Sequence, residues 1–193
     1  MDDEQQQLAI LIGQIRMGRQ EAYSDLYERT VQDVYKNVHF LADNKADVDD
    51  IVQDSFIQAF KALDKFEIER PFKPWLLGIA IKKVHAYRRK KWMRLRTIKR
   101  AEEQAIGNEH FLFHQADERL ANDDLFRSIE QLPFKLKQVV ILHYLNDYSQ
   151  EDVAGILDIP IGTVKSRVHA ALKKLRQKEE IRQNDVERVR NVQ

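Results

Sequence analysis

The chain contains no cysteine. That excludes structural disulfides and thiolate-held zinc, and it suits a reducing compartment. Glycine (6) and proline (4) are scarce among 193 residues, so few positions interrupt a regular backbone and a mostly helical chain is expected. No uncharged apolar run approaches the ~20 residues that a membrane span needs. The opening MDDEQQQ is acidic and polar, without the basic start and apolar stretch of a signal peptide. These absences lead us to expect a cytoplasmic protein without direct membrane insertion.

Net charge is nearly absent too, at +1, but the total conceals segregation. Residues 82–100 hold ten basic side chains and no acid; residues 163–178 hold six and none; residues 43–54 hold five aspartates against one lysine. Screening limits compensation between distant patches to about 10 Å, so each patch selects its own partner.

Hydrophobic residues make up 43% of the chain, enough for packed cores, and they recur with a helical period. Ala22, Tyr23, Leu26, Tyr27, Val31, Val34, Tyr35 and Val38 form one stripe, Val48, Ile51, Val52, Phe56, Ala59, Phe60 and Leu63 a second, and Trp75, Leu76, Ile79, Ala80, Val84 and Tyr87 a third. The prolines of RPFKPW suit the entrance of that third helix. An all-α fold of two small helical domains is expected, with the first at 1–92, a linker at 93–117, the second at 118–178 and a charged tail at 179–193.

The segment YSQEDVAGILDIPIGTVKSRVHAALKKLR, from Tyr148 to Arg176, reads as two helices around a turn. Ser149 and Asp152 have capping-box spacing, and Thr163 is placed to cap the second helix. Val164, Val168, Ala171, Leu172 and Leu175 face inward, leaving Lys165, Ser166, Arg167 and His169 outside near its start. A recognition helix carries its base-reading side chains there. Lys173, Lys174 and Arg176 are better placed for phosphates. The bland alternative is a helical hairpin with a solvated basic face.

Asp50, Gln53, Asp54 and Ile57 lie at i, i+3, i+4, i+7, opposite the core stripe of their helix. An isoleucine inside an acidic rim suits docking on a basic protein surface; an ordinary wet face is the alternative. Arg88, Arg89, Lys90 and Lys91 form a basic tail suited to nucleic-acid backbone. Trp75 and Trp92 have faces on which bases can stack, although Trp75 sits on the apolar stripe and is expected in the core.

These motifs, DDIVQDSFIQAF, FKPWLLGIA with its basic helix, and the C-terminal helix pair, together resemble the extracytoplasmic-function sigma factors of bacterial RNA polymerase. The resemblance spans about residues 8–178. It implies sigma region 2 followed by sigma region 4, binding to core RNA polymerase, and recognition of minus-10 and minus-35 promoter elements. It places Asp50, Gln53, Asp54 and Ile57 against the clamp helices of the largest polymerase subunit, with the flap as a further polymerase contact. Glu67, Arg70, Lys73, Lys82 and Arg88 to Lys91 fall at the minus-10 element. Thr163, Lys165, Ser166, Arg167, His169, Lys173 and Arg176 fall at the minus-35 element. It also implies an anti-sigma factor as partner, for which the linker's Phe111, Leu112 and Phe113 are a candidate contact. The chain departs from the family pattern at Lys82, where asparagine is frequent, at Ala86, where aspartate is frequent, at Arg19, and at Asp158, where glycine is frequent. Aspartate tolerates left-handed backbone, so the turn is expected to form.

Two rivals compete. A stand-alone helix-turn-helix regulator shares the C-terminal pattern but leaves the acidic docking face and the 82–100 helix without a role. For an enzyme, His110 and His114 are spaced like metal ligands, but no glutamate follows the first histidine as in a zincin, and no glycine-rich phosphate loop occurs. No catalytic residue, metal or cofactor is expected.

Overall fold

The computed structural model describes the backbone of residues 3–103 and 123–190, with side chains for 3–97 and 125–178. Among the described residues the architecture is all-α, as expected. Four helices make the first half: α1 (Asp3–Arg16), α2 (Glu21–Leu41), α3 (Val48–Ala62) and α4 (Phe72–Glu103). The second half has α5 (Asp123–Glu130), α6 (Phe134–Val140), which ends in a π turn at Ile141–Leu145, then α7 (Gln150–Leu157) and α8 (Ile161–Arg190). Helix α4 thus runs on beyond Trp92, and α8 beyond Lys178. His110, His114 and Phe111–Phe113 lie outside the described residues.

The stripes supply the core, except that Tyr27 and Tyr35 at the margin of the first are exposed, because their rings reach the edge of the α2 face. Leu8 and Ile12 of α1, Leu26, Val34 and Val38 of α2, Val52 and Phe56 of α3, and Leu76, Ala80 and Val84 of α4 are all buried. Burying each large aliphatic side chain contributes about 2 kcal/mol. The turn between α1 and α2 needs Gly18, whose φ is 85°, a region costly for side chains with a Cβ. Arg16 ties α1 to the α3–α4 connection by donating to the carbonyl oxygens of Leu63, at 2.9 Å, and Phe66. Trp75 packs against Phe66 and Phe72, with ring centroids 4.8 and 5.5 Å away.

The second half has a small cluster of its own, Ile129, Leu132, Val140 and Ala171. Most of its buried residues lie elsewhere. Val139, Ile141, Leu142, Val153, Ile156, Val164 and Val168 join one continuous cluster with the core of the first half. The two halves are packed together.

Candidate nucleic-acid interface and docking face

The helix pair α7–α8 is built as its sequence dictates. Ser149 Oγ accepts from the Asp152 backbone N–H at 3.0 Å, and the Asp152 carboxylate accepts in return from the Ser149 backbone N–H at 3.2 Å. This completes the capping box. Helix α7 ends at Asp158, in left-handed backbone with φ 55° and ψ 50°. The turn survives without glycine because a short polar side chain tolerates that region. Thr163 does not cap α8. The helix begins two residues earlier, after Pro160, whose carbonyl accepts from the N–H of Thr163 and Val164 at 2.8 and 3.2 Å. Proline leads the chain into the helix, so Thr163 falls within the first turn.

On α8, Lys165, Ser166 and His169 are exposed at its start, Arg167 is half-buried, and Lys173 and Arg176 are exposed further along. One helix end therefore presents a hydroxyl, an imidazole and two cations together, the mixture used to read base edges.

On α3, Asp50 and Gln53 are exposed, and Ile57 is 45% exposed. Asp54 is half-buried and accepts a hydrogen bond from the Tyr87 hydroxyl of α4 at 3.2 Å. Burial, then Asp54, Asp50 and Asp47, raise the Tyr87 pKa above its ordinary value, which keeps the phenol a donor. The acidic rim around an apolar point is present as a surface.

The remaining basic candidates are divided. Arg89, Lys90 and Lys91 are exposed on α4, followed by Trp92, which is 59% exposed with the Arg96 guanidinium 5.2 Å from its ring. Glu67 and Arg70 pair with each other at 2.7 Å in the loop before α4. Lys73 is engaged inside the first half, 2.6 Å from Glu4 and 2.8 Å from Asp33. Lys82 faces Asp158 of the helix-turn-helix at 3.6 Å. Arg88 pairs with Asp43 and lies over the Phe134 ring of α6, 3.7 Å from its centroid. The periodicity gave no sign of these last partners, because they come from other elements.

No group of three or more potential ligands for a metal ion occurs among the described residues, and none of their helices is long and apolar enough to cross a membrane.

A recognition helix behind a capped turn, a basic helix with an exposed tryptophan and an acidic docking face define a two-part helical transcription factor. The family model for Sigma-70 region 2 matches residues 26–94, and that for Sigma-70, region 4 matches residues 123–175. The ECF RNA polymerase sigma factor SigW of Bacillus subtilis is 30% identical over 177 residues, 86% of this chain and 92% of its own length. The ECF RNA polymerase sigma-E factor of Escherichia coli K12 is 31% identical over 173 residues, 84% of this chain and 88% of its own. CnrH, solved in complex with the cytosolic domain of CnrY, superimposes with a TM-score of 0.64 at 25% identity, covering 90% of this chain and 97% of CnrH. RpoE of Bartonella quintana, solved with the anti-sigma factor NepR, shares the fold with a TM-score of 0.62 at 24% identity, covering 82% and 97%. The chain belongs to the extracytoplasmic-function sigma factors of the sigma-70 family. That family comprises transcription initiation factors and is no known class of enzyme.

Proposed function

We propose that the chain acts in the cytoplasm, without catalysis of its own, by docking on core RNA polymerase through α3 and directing it to promoters with two DNA-reading surfaces. The observation that carries this reading is the co-occurrence, in one chain, of the α3 face and the α7–α8 recognition pair. A stand-alone regulator has no use for the first. Asp50, Gln53, Asp54 and Ile57 form the polymerase contact. Lys165, Ser166, Arg167 and His169 read the upstream element, with Lys173 and Arg176 on phosphates and Thr163 at the helix start. Lys82 and Arg88 to Lys91 serve the downstream element, with Glu67 and Arg70 at its loop. Lys73, already neutralised by two carboxylates, supports that loop by holding α4 to α1 and α2. The working units are 1–92 and 118–178, joined by 93–117 and followed by the tail 179–193. An anti-sigma factor is the expected regulator, in keeping with the complex in which RpoE of Bartonella quintana was solved.

The test is transcription in vitro from a promoter library, with purified bacterial core polymerase and this protein. Initiation that needs both components is expected, and the enriched templates will share two elements. Asp54→Arg is expected to weaken core binding at least about tenfold, as a like-charge contact does. Tyr87→Phe controls for the lost hydrogen bond and should bind normally. Arg167→Ala is expected to depress only templates that depend on the upstream element. Initiation by Asp54→Arg at wild-type levels would remove the docking assignment.

A further inference from the structure

The connection from α3 to α4 forms a short arch on two fixed feet. Phe66 and Phe72 are the feet, both buried, with ring centroids 5.5 Å apart, and Trp75 closes against Phe66 at 4.8 Å. Between them Glu67, Glu69, Arg70 and Pro71 are exposed. The contacts within the arch are weak. A turn hydrogen bond runs from the Arg70 N–H to the Glu67 carbonyl oxygen at 3.0 Å. The Glu67–Arg70 ion pair is exposed at 68% and 63%, and such pairs contribute little.

The first foot is oriented from α1. Arg16 is the last residue of that helix, and its Nη2 donates to the carbonyl oxygens of Leu63, at 2.9 Å, and Phe66. These carbonyls bracket the 3-10 turn Leu63–Lys65, which the Phe66 N–H closes by donating to the Leu63 oxygen at 3.1 Å. The Leu63 oxygen thus serves two donors. The Phe66 oxygen, where the chain leaves the core for the arch, is held by Arg16. A guanidinium suits this task, because it is planar, always charged and carries two N–H groups on one nitrogen that can serve separate acceptors. Arg16 is itself aimed by the turn that follows it, in which the Gly18 N–H donates to the Ile15 oxygen at 2.9 Å. Beside the second foot, Lys73 reaches Glu4 of the same helix at 2.6 Å.

We propose that Arg16 is a positioning residue for reading the downstream promoter element, acting through the Phe66–Pro71 arch and touching no DNA itself. This rests on the functional reading above, which puts Glu67 and Arg70 at that element. Discrimination between bases needs a reading group held within about 0.5 Å of its working place by groups behind it. The exposed pair at the tip of the arch does not supply that hold. Arg16 does, from 47 and 50 positions away in sequence. Helix α1 thereby joins the promoter-reading apparatus as the beam on which the arch is aimed.

Transcription from a promoter pool randomised at both elements, with purified core polymerase, compares the full chain with Arg16→Met. A wrong base pair in an element that is read costs about 5- to 150-fold. For Arg16→Met the penalties within the downstream element are expected to shrink at least about threefold, while the upstream penalties and the affinity for core polymerase hold. Arg16→Lys, whose ammonium can meet a carbonyl but lacks the planar fork, should fall between. Leu8→Ala opens a cavity on the buried face of α1, about two turns before Arg16. It controls for general loosening and should leave both sets of penalties unchanged. Amide exchange on the full chain without polymerase gives an independent readout. In Arg16→Met the Phe66 and Arg70 amides should exchange at least about tenfold faster, with the amides of α3 and α4 unchanged. Unchanged downstream penalties would overturn the proposal, as would an equal flattening by Leu8→Ala. A uniform loss on all sequences, with the salt slope reduced by about one, would make Arg16 a phosphate contact and overturn it too. Failure of the unsubstituted chain to support initiation would instead remove the sigma reading, and the exchange rates would then decide alone whether Arg16 holds the arch.

Discussion

Lys73 has a side-chain exposure of 24% and two carboxylate partners. Burial alone would lower its pKa; the hydrogen bonds to Asp33 and Glu4 outweigh that and hold it above the ordinary 10.5. The pair's stabilisation is accordingly complete below pH 10.5 and is lost as pH rises through the raised value. Lys73→Met is expected to destabilise the chain by about 1 kcal/mol at neutral pH, the range for partly exposed pairs. A double-mutant cycle with Asp33→Asn checks this in urea unfolding, and additive losses would show that the pair is uncoupled. In the sequence this lysine reads as one more cation in a basic loop. Its partner Glu4 is 69 positions away, and a periodic pattern carries no information about such a pairing. Asp50, Gln53 and Ile57, in contrast, were legible as surface because their spacing opposes the stripe on their own helix.

At the scale of elements, local chemistry was readable wherever its partners are near in sequence. The Ser149–Asp152 cap, the left-handed Asp158 and the glycine turn before α2 are all decided within a few residues. Ser149→Ala is expected to cost about 1 kcal/mol, seen as a fall of about 2–4 °C in Tm; an unchanged Tm would mean that packing alone fixes α7. The start of α8 was misjudged because Pro160 and Thr163 both signal a helix entrance, and the proline, three positions nearer the turn, prevails. The length of α4 was also hidden. Its apolar stripe ends at Tyr87, while the helix continues for a total of 32 residues, about 48 Å at 1.5 Å per residue. The final turns are rich in arginine and lysine, which are good helix formers without needing a buried face.

For the molecule as a whole, the sequence reads as two domains and a linker and gives no sign of the contact between the two halves. Ile156 and Val153 read as the inner face of a helical hairpin, yet they belong to the same apolar cluster as the first half. Leu77 and Ile81 fall outside the stripe of α4 and are nonetheless buried at 1% and 3%, a second face that a single-stripe reading passes over. Tyr148 marks the same contact. Burial, together with Asp33 of the first half, pushes its pKa up to about 12, although Lys73 opposes the shift. The seam should respond to acid through His85. Burial, then Arg88 on its own helix, Arg167 of α8 and Lys135 of α6, lower its pKa below 6.5. Protonation would also turn Nε2 into a donor facing the Gln138 donor, 3.0 Å away. Since the closed state favours the neutral ring, closure is at full strength above 6.5 and weakens as pH falls through the lowered value. A chain carrying distance labels at Glu28→Cys and Gln177→Cys is therefore expected to open as pH falls below about 6.5, the ordinary histidine value. His85→Asn should lose that dependence, and a distance that ignores pH in the unsubstituted chain would exclude the mechanism.

The left-handed residue at the end of α7 belongs to two structures at once. As a hinge for the recognition helix, the position would be less strained as glycine, since a Cβ in this backbone costs about 1–2 kcal/mol. As aspartate it carries a charge whose partner, Lys82, stands in the other half. A lineage that exchanged Asp158 for glycine would relieve the hinge and give up only an exposed pair with the other half, which contributes little, so drift at this turn would loosen the strain of the reading head at small cost to the packing of the two halves.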